Sequence, residues 1–502
     1  MASPVGLHYR GAARDARTWA RKSLRSHSLD VVQRSRNRRG WNAIPNSHPE
    51  SRLPRTLDWQ HLLPDGRDAV AAEPPSLARS PFQRDHDRIL FSGSFRRLAD
   101  KTQVFPLPFD DHVHSRLTHS LEVATIGRSL GTLVGRTLVA QGVSLPEGRD
   151  ARDLGDCVAA ACLAHDLGNP PFGHIGESAI QEYFASQAPA GLLDGLTERE
   201  RQDLLRFEGN AQAFRILTRL ERPWRRGGLA LTHATIGAFL KYPCTADVAA
   251  ARAPGRSAKK HGLMAGELST WERIAPELGL ARRRSGVDHW PRHPLAFLTE
   301  AADDVAYLLL DLEDGLRLRR LPEAEYTRLV EPLCASGHAA ERRGQRPTDR
   351  NEMLDRAGWL RAGAIDTLIY ELAESFVARG SAILDGSFDA ELRKAIPHAA
   401  ALDAVEAACL EHCYRARDVL KMELAGAEAI QGLLDCFVRA LLERGSLRGE
   451  HQRRLRPTVI DDTGSRYEQL VRITDHVAGM TDNYAVRLYR ELRGMRYPGG
   501  RD

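Results

Sequence analysis

The sequence predicts an all-α protein. From about Leu57 onward, long segments repeat apolar residues at three- and four-residue spacing, alternating β-branched runs are nearly absent, and Gly or Pro stands where periodic segments stop. A chain of 502 residues can bury a large core and is expected to form two or more subdomains. With 42% hydrophobic and 27% charged residues, global disorder is excluded. Apolar runs such as Val158–Ala164 fall far short of the roughly 20 residues that span a bilayer, so no membrane-spanning segment is expected. Seven cysteines without a C-x-x-C pair argue against a disulfide framework and a zinc ribbon, and point to reduced thiols in the cytoplasm.

The elements follow in chain order. Residues 1–56 hold 12 Lys or Arg against 3 Asp or Glu, a net +9, whereas the remainder carries 59 against 63. This segment has no apolar period and reads as a basic, disordered tail. Its composition also suits a transit peptide, a nucleic-acid-binding arm or a wrongly chosen start codon. A helix is expected over 116–140, with Leu117, Leu121, Ile126, Leu130 and Leu133 along one side. A second, 156–165, is almost wholly small or apolar, which suits burial all round, and Gly168 with Pro170-Pro171 stops it. A third covers 294–315. Segments 243–292 and 336–352 read as loops or insertions, dividing a core of residues 57–335 from a C-terminal helical part, 336–502.

Four groups of residues carry chemistry. His165-Asp166 ends the apolar helix, where an imidazole and a carboxylate are costly to bury unless paired or bound to a cation. Adjacent helical positions point about 100° apart, so both could ligate one ion only where the helix frays. Next, the rigid string from Asn169 to Gly173 delivers His174 and Glu177 at a three-residue spacing, an acid/base arrangement on one helical face. Third, Asp303, Tyr307 and Asp311 recur at four-residue steps and form a polar stripe on an apolar helix, whereas Asp304 and Glu313 fall on other faces and read as surface ions. Fourth, His119 opens the 116–140 helix. With His165, Asp166 and an acid from the Asp303–Asp304 pair, it makes a sulfur-free set suited to a six-coordinate Mn, Fe or Mg type ion. No phosphate-cradling Gly loop is present.

These strings resemble the HD-domain metallohydrolases. Lys101 to Pro106, Arg116 to Ser120, His165 to His174, Phe207 to Gln212, Glu300 to Tyr307 and Ala478 to Asp482 are similar, within that superfamily, to the deoxyguanosinetriphosphate triphosphohydrolase family. The resemblance runs from about Leu57 to the end. It implies an HD-type helical core with an additional C-terminal helical subdomain, and His119, His165, Asp166 and Asp303 as ligands of a divalent ion, Mg²⁺ or Mn²⁺. It makes His174 and Glu177 the catalytic pair. Gln103 and Val104 would meet the nucleoside, Arg116 and Lys241 the phosphates, Tyr307 and Asp311 the deoxyribose, and Asn210 the site wall or a phosphate. Lys260 and Glu423 carry over with less similar flanks. His233 stands where the family more often has an aromatic residue and is not counted as a ligand.

The implied reaction hydrolyses dGTP, or other dNTPs, to deoxynucleoside and tripolyphosphate in deoxynucleotide pool control. The implied assembly is a homo-oligomer, and the tail admits single-stranded nucleic acid as a partner. Two alternatives stay open: an HD phosphodiesterase or nucleotidase of other specificity, and a nucleic-acid-binding regulatory protein with an inactive HD site.

Overall fold

The computed structural model describes residues 57–68, 78–105, 112–334, 349–443 and 463–495, with positions 450 and 454. The basic tail and most of the expected 336–352 linker lie outside these residues. Every regular element among the described residues is a helix, and the strand-type pairing there is confined to isolated β-bridges. The fold is all-α.

Local signals start the helices. In α1, Pro81–Leu90, Ser80 and Gln83 form a reciprocal capping box and Pro81 takes the first position. In α2, Arg116–Ala140, Ser115 and Thr118 do the same. In α3, Ala151–Ala164, Asp150 accepts from the Arg152 and Asp153 amides, so the helix begins five residues before the expected start at position 156. The chain continues through α4, His174–Glu182; α5, Gly209–Arg215; α6, His233–Phe239; and α7, Pro294–Arg317. The C-terminal elements are α8, Arg350–Ala378; α9, Ala399–Cys409; α10, Arg417–Leu442; α11, Arg466–Ala478; and α12, Asp482–Leu492.

Helices α2 and α3 approach backbone to backbone. A Cβ on Gly131 would stand 2.8 Å from the Leu154 carbonyl oxygen, and one on Gly135 2.8 Å from that of Ala151. Any larger residue would force the pair apart, and with it His119 from His165. The expected face of α2 holds except at one position: Ile126 and Leu130 are buried, and Leu117 and Leu133 pack half-buried against the core. His119, Val123, Gly127, Val134 and Leu138 are buried with them, while Leu121 is 38% exposed, because the buried stripe also takes in the glycines that admit α3. Helix α7 is buried along nearly its whole length, with Leu298, Ala302, Val305, Leu309 and Leu312 in the main core. A second apolar cluster joins α4 to the C-terminal helices through Ile180, Ile430, Leu433, Leu470, Ile473 and Val477.

Two further expectations are corrected. Asp304 and Glu313 are not surface ions: both are buried, Asp304 against the Arg393 guanidinium at 3.5 Å and Glu313 against Arg361 at 2.5 Å. A helix enclosed on all sides has no solvent face to give them, so arginines from neighbouring elements meet the charges instead. The 243–292 segment is folded, with helices at Ala246–Ala250 and Leu268–Glu277 and with Trp271 and Trp290 buried edge to face.

Candidate functional site

Helix α3 ends at its C-cap, His165, and the chain leaves the helical axis there. The His165 Nδ1–H donates to the Cys162 carbonyl at 2.7 Å, which fixes the tautomer and turns a lone pair on Nε2 toward α7. One donor atom from each of His119, His165 and Asp166 lies within 4.8 Å of the other two, all three side chains being buried. That spacing fits a single cation, and the nitrogen and oxygen donors suit a hard or borderline divalent ion.

Asp303 adjoins this triad without joining its tight cluster. Its Oδ1 lies 3.3 Å from Nε2 of both His119 and His165, and its Oδ2 accepts from the Lys241 ammonium at 2.7 Å. Arg116 donates to Asp166 Oδ2 at 2.6 Å, and the Asn169 amide takes Oδ1 at 2.5 Å. Both cations expected on phosphates thus rest here on carboxylates. Burial works against the two charges, yet His165 and Arg116 hold the Asp166 carboxyl well below the usual range, and Lys241 with His165 does the same for Asp303.

A cavity of about 540 Å³ opens over these groups, and every site residue named from the sequence lines it. At one side stand Gln103 and Val104; along α7 run Asp303, Tyr307 and Asp311; α10 adds Glu423. His174 starts α4 and stays open to solvent, while the surrounding walls and then the Lys260 and Arg116 cations lower its pKa. Glu177, one turn later, is buried. It accepts the Gly209 amide at 2.8 Å, faces Lys260 at 3.7 Å, and is pushed up to about 7 by burial and then by Glu208. No hydrogen bond joins His174 to Glu177 among the described contacts, so the two flank the cavity as separate groups. Asn210 and Lys260 both bond the Glu208 carboxylate, at 2.7 and 3.0 Å. His233 pairs with Glu277 at 2.7 Å and is absent from the cavity lining.

Sequence reasoning missed several lining residues. Asn169 and Glu208 sit inside strings already singled out, so their positions were visible and their partners were not. Tyr414 had no local signal. It reaches the cavity from beyond α9 and donates to Asp311 at 2.7 Å.

Comparison with known proteins matches residues 116–214 to the HD domain and residues 396–491 to the phosphohydrolase-associated domain. A deoxyguanosinetriphosphate triphosphohydrolase-like protein of Pseudomonas aeruginosa is 40% identical over 451 residues, covering 88% of this chain and 100% of that protein. The chain belongs to the deoxyguanosinetriphosphate triphosphohydrolase family. A like-named protein of Synechocystis is 39% identical over 457 residues, covering 88% of this chain and all of its own. The deoxyguanosinetriphosphate triphosphohydrolase of Cronobacter sakazakii is 31% identical over 482 residues, covering 82% of this chain and 93% of that protein.

This member of the family is an HD-type phosphohydrolase. Its HD segment contains His119, His165, Asp166, His174, Glu177 and Asn210, whereas Asp303 comes from α7, between the two matched segments. The phosphohydrolase-associated segment brings Tyr414, Met422 and Glu423 to the same cavity. Among the described residues, no helix of this phosphohydrolase is long and apolar enough to cross a membrane.

Proposed function

We propose that this phosphohydrolase cleaves dGTP, and other dNTPs with it, between the 5′-oxygen and the α-phosphorus, releasing deoxynucleoside and intact tripolyphosphate. One observation carries the reading: a single cavity joins a candidate metal triad, the Arg116, Lys241 and Lys260 cations and the Asp303–Tyr307–Asp311 stripe. His119, His165, Asp166 and Asp303 would hold Mg²⁺ or Mn²⁺, which when bound supplies Lewis acidity toward a phosphoryl oxygen and a more acidic water.

The chain's own groups do the rest. Arg116, Lys241 and Lys260 exchange carboxylate partners for phosphate oxygens and offset a substrate of about four negative charges. The same anion reverses the cationic field that lowers the His174 pKa, which favours the imidazolium and puts a proton within reach of the leaving 5′-oxygen. Glu177, poised near neutrality, can pass a proton in either direction at that pH. Gln103 and Val104 bound the nucleoside, Asn210 the wall beside the phosphates, and Glu423 the far rim. Tyr307 packs where a 2′-hydroxyl would project, and Asp311 accepts from the 3′-hydroxyl.

The same reading makes the protein a homo-oligomeric cytoplasmic enzyme of deoxynucleotide pool control, whose +9 tail offers counter-charge to single-stranded nucleic acid. The test is to incubate each dNTP with Mg²⁺ or Mn²⁺ and separate the products. Tripolyphosphate supports the proposal. Pyrophosphate or orthophosphate would favour a phosphodiesterase or nucleotidase, and salt-dependent DNA binding without turnover an inactive regulatory site.

A further inference from the structure

Asp482 opens α12, more than three hundred residues along the chain from either element it touches, and it is only 5% exposed. Its Oδ2 accepts the Thr102 amide at 2.9 Å, and its Oδ1 accepts the Phe172 amide at 3.0 Å. Thr102 leads directly into Gln103 and Val104, and Phe172 and Gly173 lead directly into His174; all line the cavity. Lys101, 2% exposed, repeats the tie one residue earlier, its ammonium donating to the Asn169 carbonyl at 2.6 Å and the Ala478 carbonyl at 2.9 Å. Two loops that both line the cavity are therefore fastened, side by side, to one C-terminal turn.

The restraint falls where the backbone most needs it. Phe172 has φ +62° and Gly173 φ +58°, two consecutive left-handed residues, the first carrying a bulky side chain. A non-glycine residue persists in that region only when its surroundings over-determine it. Here the Phe172 amide is held by Asp482, and its ring lies against Gly426 of α10 so closely that an added Cβ would stand 2.5 Å from it. On the other side, the Thr102–Ser115 bridge and the Arg116 amide bonded to the Lys101 carbonyl at 3.1 Å set the same loop against the start of α2.

We propose that Asp482 is a positioning residue of the active site, one carboxylate that sets the Gln103–Val104 wall and the His174 loop at a fixed separation. It touches no reacting atom; it acts through Thr102 and Phe172. The kinetic part of this inference rests on the dNTP reaction proposed above, and the structural part does not.

The test compares wild type, Asp482→Ala, Asp482→Asn and Tyr489→Phe by hydrogen–deuterium exchange and steady-state kinetics on dGTP. Tyr489 lies on the same helix and bonds exposed Glu428 of α10 at 2.7 Å, so its variant loosens α12 without touching either loop. In Asp482→Ala, exchange at the Thr102 and Phe172 amides rises by about tenfold or more together. In Asp482→Asn, whose single acceptor oxygen serves one donor, exchange rises at one of them. With dGTP, Asp482→Ala raises KM and lowers kcat, for a combined loss of about 100-fold in kcat/KM, the scale of a misplaced catalytic group. Tyr489→Phe matches wild type in both measurements. Unchanged exchange at either amide in Asp482→Ala would overturn the proposal, as would an effect of Tyr489→Phe equal to that of Asp482→Ala. Failure of both Asp482 variants to fold would make the residue structural and overturn it equally. If wild type turns over no dNTP, the proposed reaction fails while the exchange result still decides the role of Asp482.

Discussion

The Tyr414 hydroxyl donates to the Asp311 carboxylate at 2.7 Å, joining the segment after α9 to the end of the polar stripe on α7. Burial pushes the Asp311 carboxyl up to about 7, with the Tyr414 bond opposing, so the tyrosine helps to keep the aspartate an acceptor at neutral pH. Tyr414→Phe removes one hydrogen bond of about 0.5–1.5 kcal/mol and leaves the ring in place. The expected result is a several-fold rise in KM for dGTP with kcat nearly unchanged. A fall confined to kcat would detach Asp311 from substrate binding.

The ring of Tyr307 is anchored by its hydroxyl, 3.4 Å from Glu406, and lies between Asp303 and Asp311 on the same helix. Steric exclusion of ribose needs the ring. Tyr307→Ala should lower kcat/KM for dGTP and narrow its preference over GTP, whereas Asp311→Ala should mainly weaken binding, by about 1.5–3 kcal/mol. An unchanged dGTP-to-GTP ratio in a folded Tyr307→Ala protein would reject the sugar gate.

Metal retention and turnover should separate between the two halves of the site. His165→Ala or Asp166→Ala should lose both, since each removes a donor of the triad. His174→Ala and Glu177→Ala should keep the metal and lose about two to four orders of magnitude in rate. Elemental analysis of the purified variants decides. Full occupancy in Asp166→Ala would remove that residue from the ligand set.

His114 supplies a pH test away from the ligands. Burial would lower its pKa, but hydrogen bonds to Asp314 at 2.9 Å and Glu122 at 3.3 Å prevail and raise it to about 10. A histidine raised in the folded state contributes stability that is complete below its unfolded value of about 6.5 and is lost as pH rises through the folded one. The melting temperature of wild type should therefore exceed that of His114→Gln most at pH 6, and the gap should shrink steadily toward pH 10. A gap that widens with pH would contradict the pairing.

The legible parts of this molecule are local. His165-Asp166 at the end of an apolar run, His174 and Glu177 three apart, and the four-residue spacing on α7 each announce themselves within one turn or loop. The all-α class follows from periodicity in the same way. What escaped depends on contacts that no window contains. Asp304 and Glu313 looked like surface ions because the arginines that bury them, Arg393 and Arg361, come from distant elements. On α2 only Leu121 falls outside the expected buried face, and the part that Gly131 and Gly135 play escapes because they carry no hydrophobicity, although their missing side chains decide where α3 lies. The Ala478–Asp482 string stood out as unusual, but its purpose is visible only once Thr102 and Phe172 are brought beside it.

The central claim is the site of bond cleavage. It is tested most directly by a single turnover of dGTP in H₂¹⁸O with Mg²⁺ or Mn²⁺, followed by mass analysis of both products. Attack at the α-phosphorus predicts unlabelled deoxyguanosine and tripolyphosphate carrying one ¹⁸O. Formation of dGMP with pyrophosphate, or of dGDP with orthophosphate, would contradict the account.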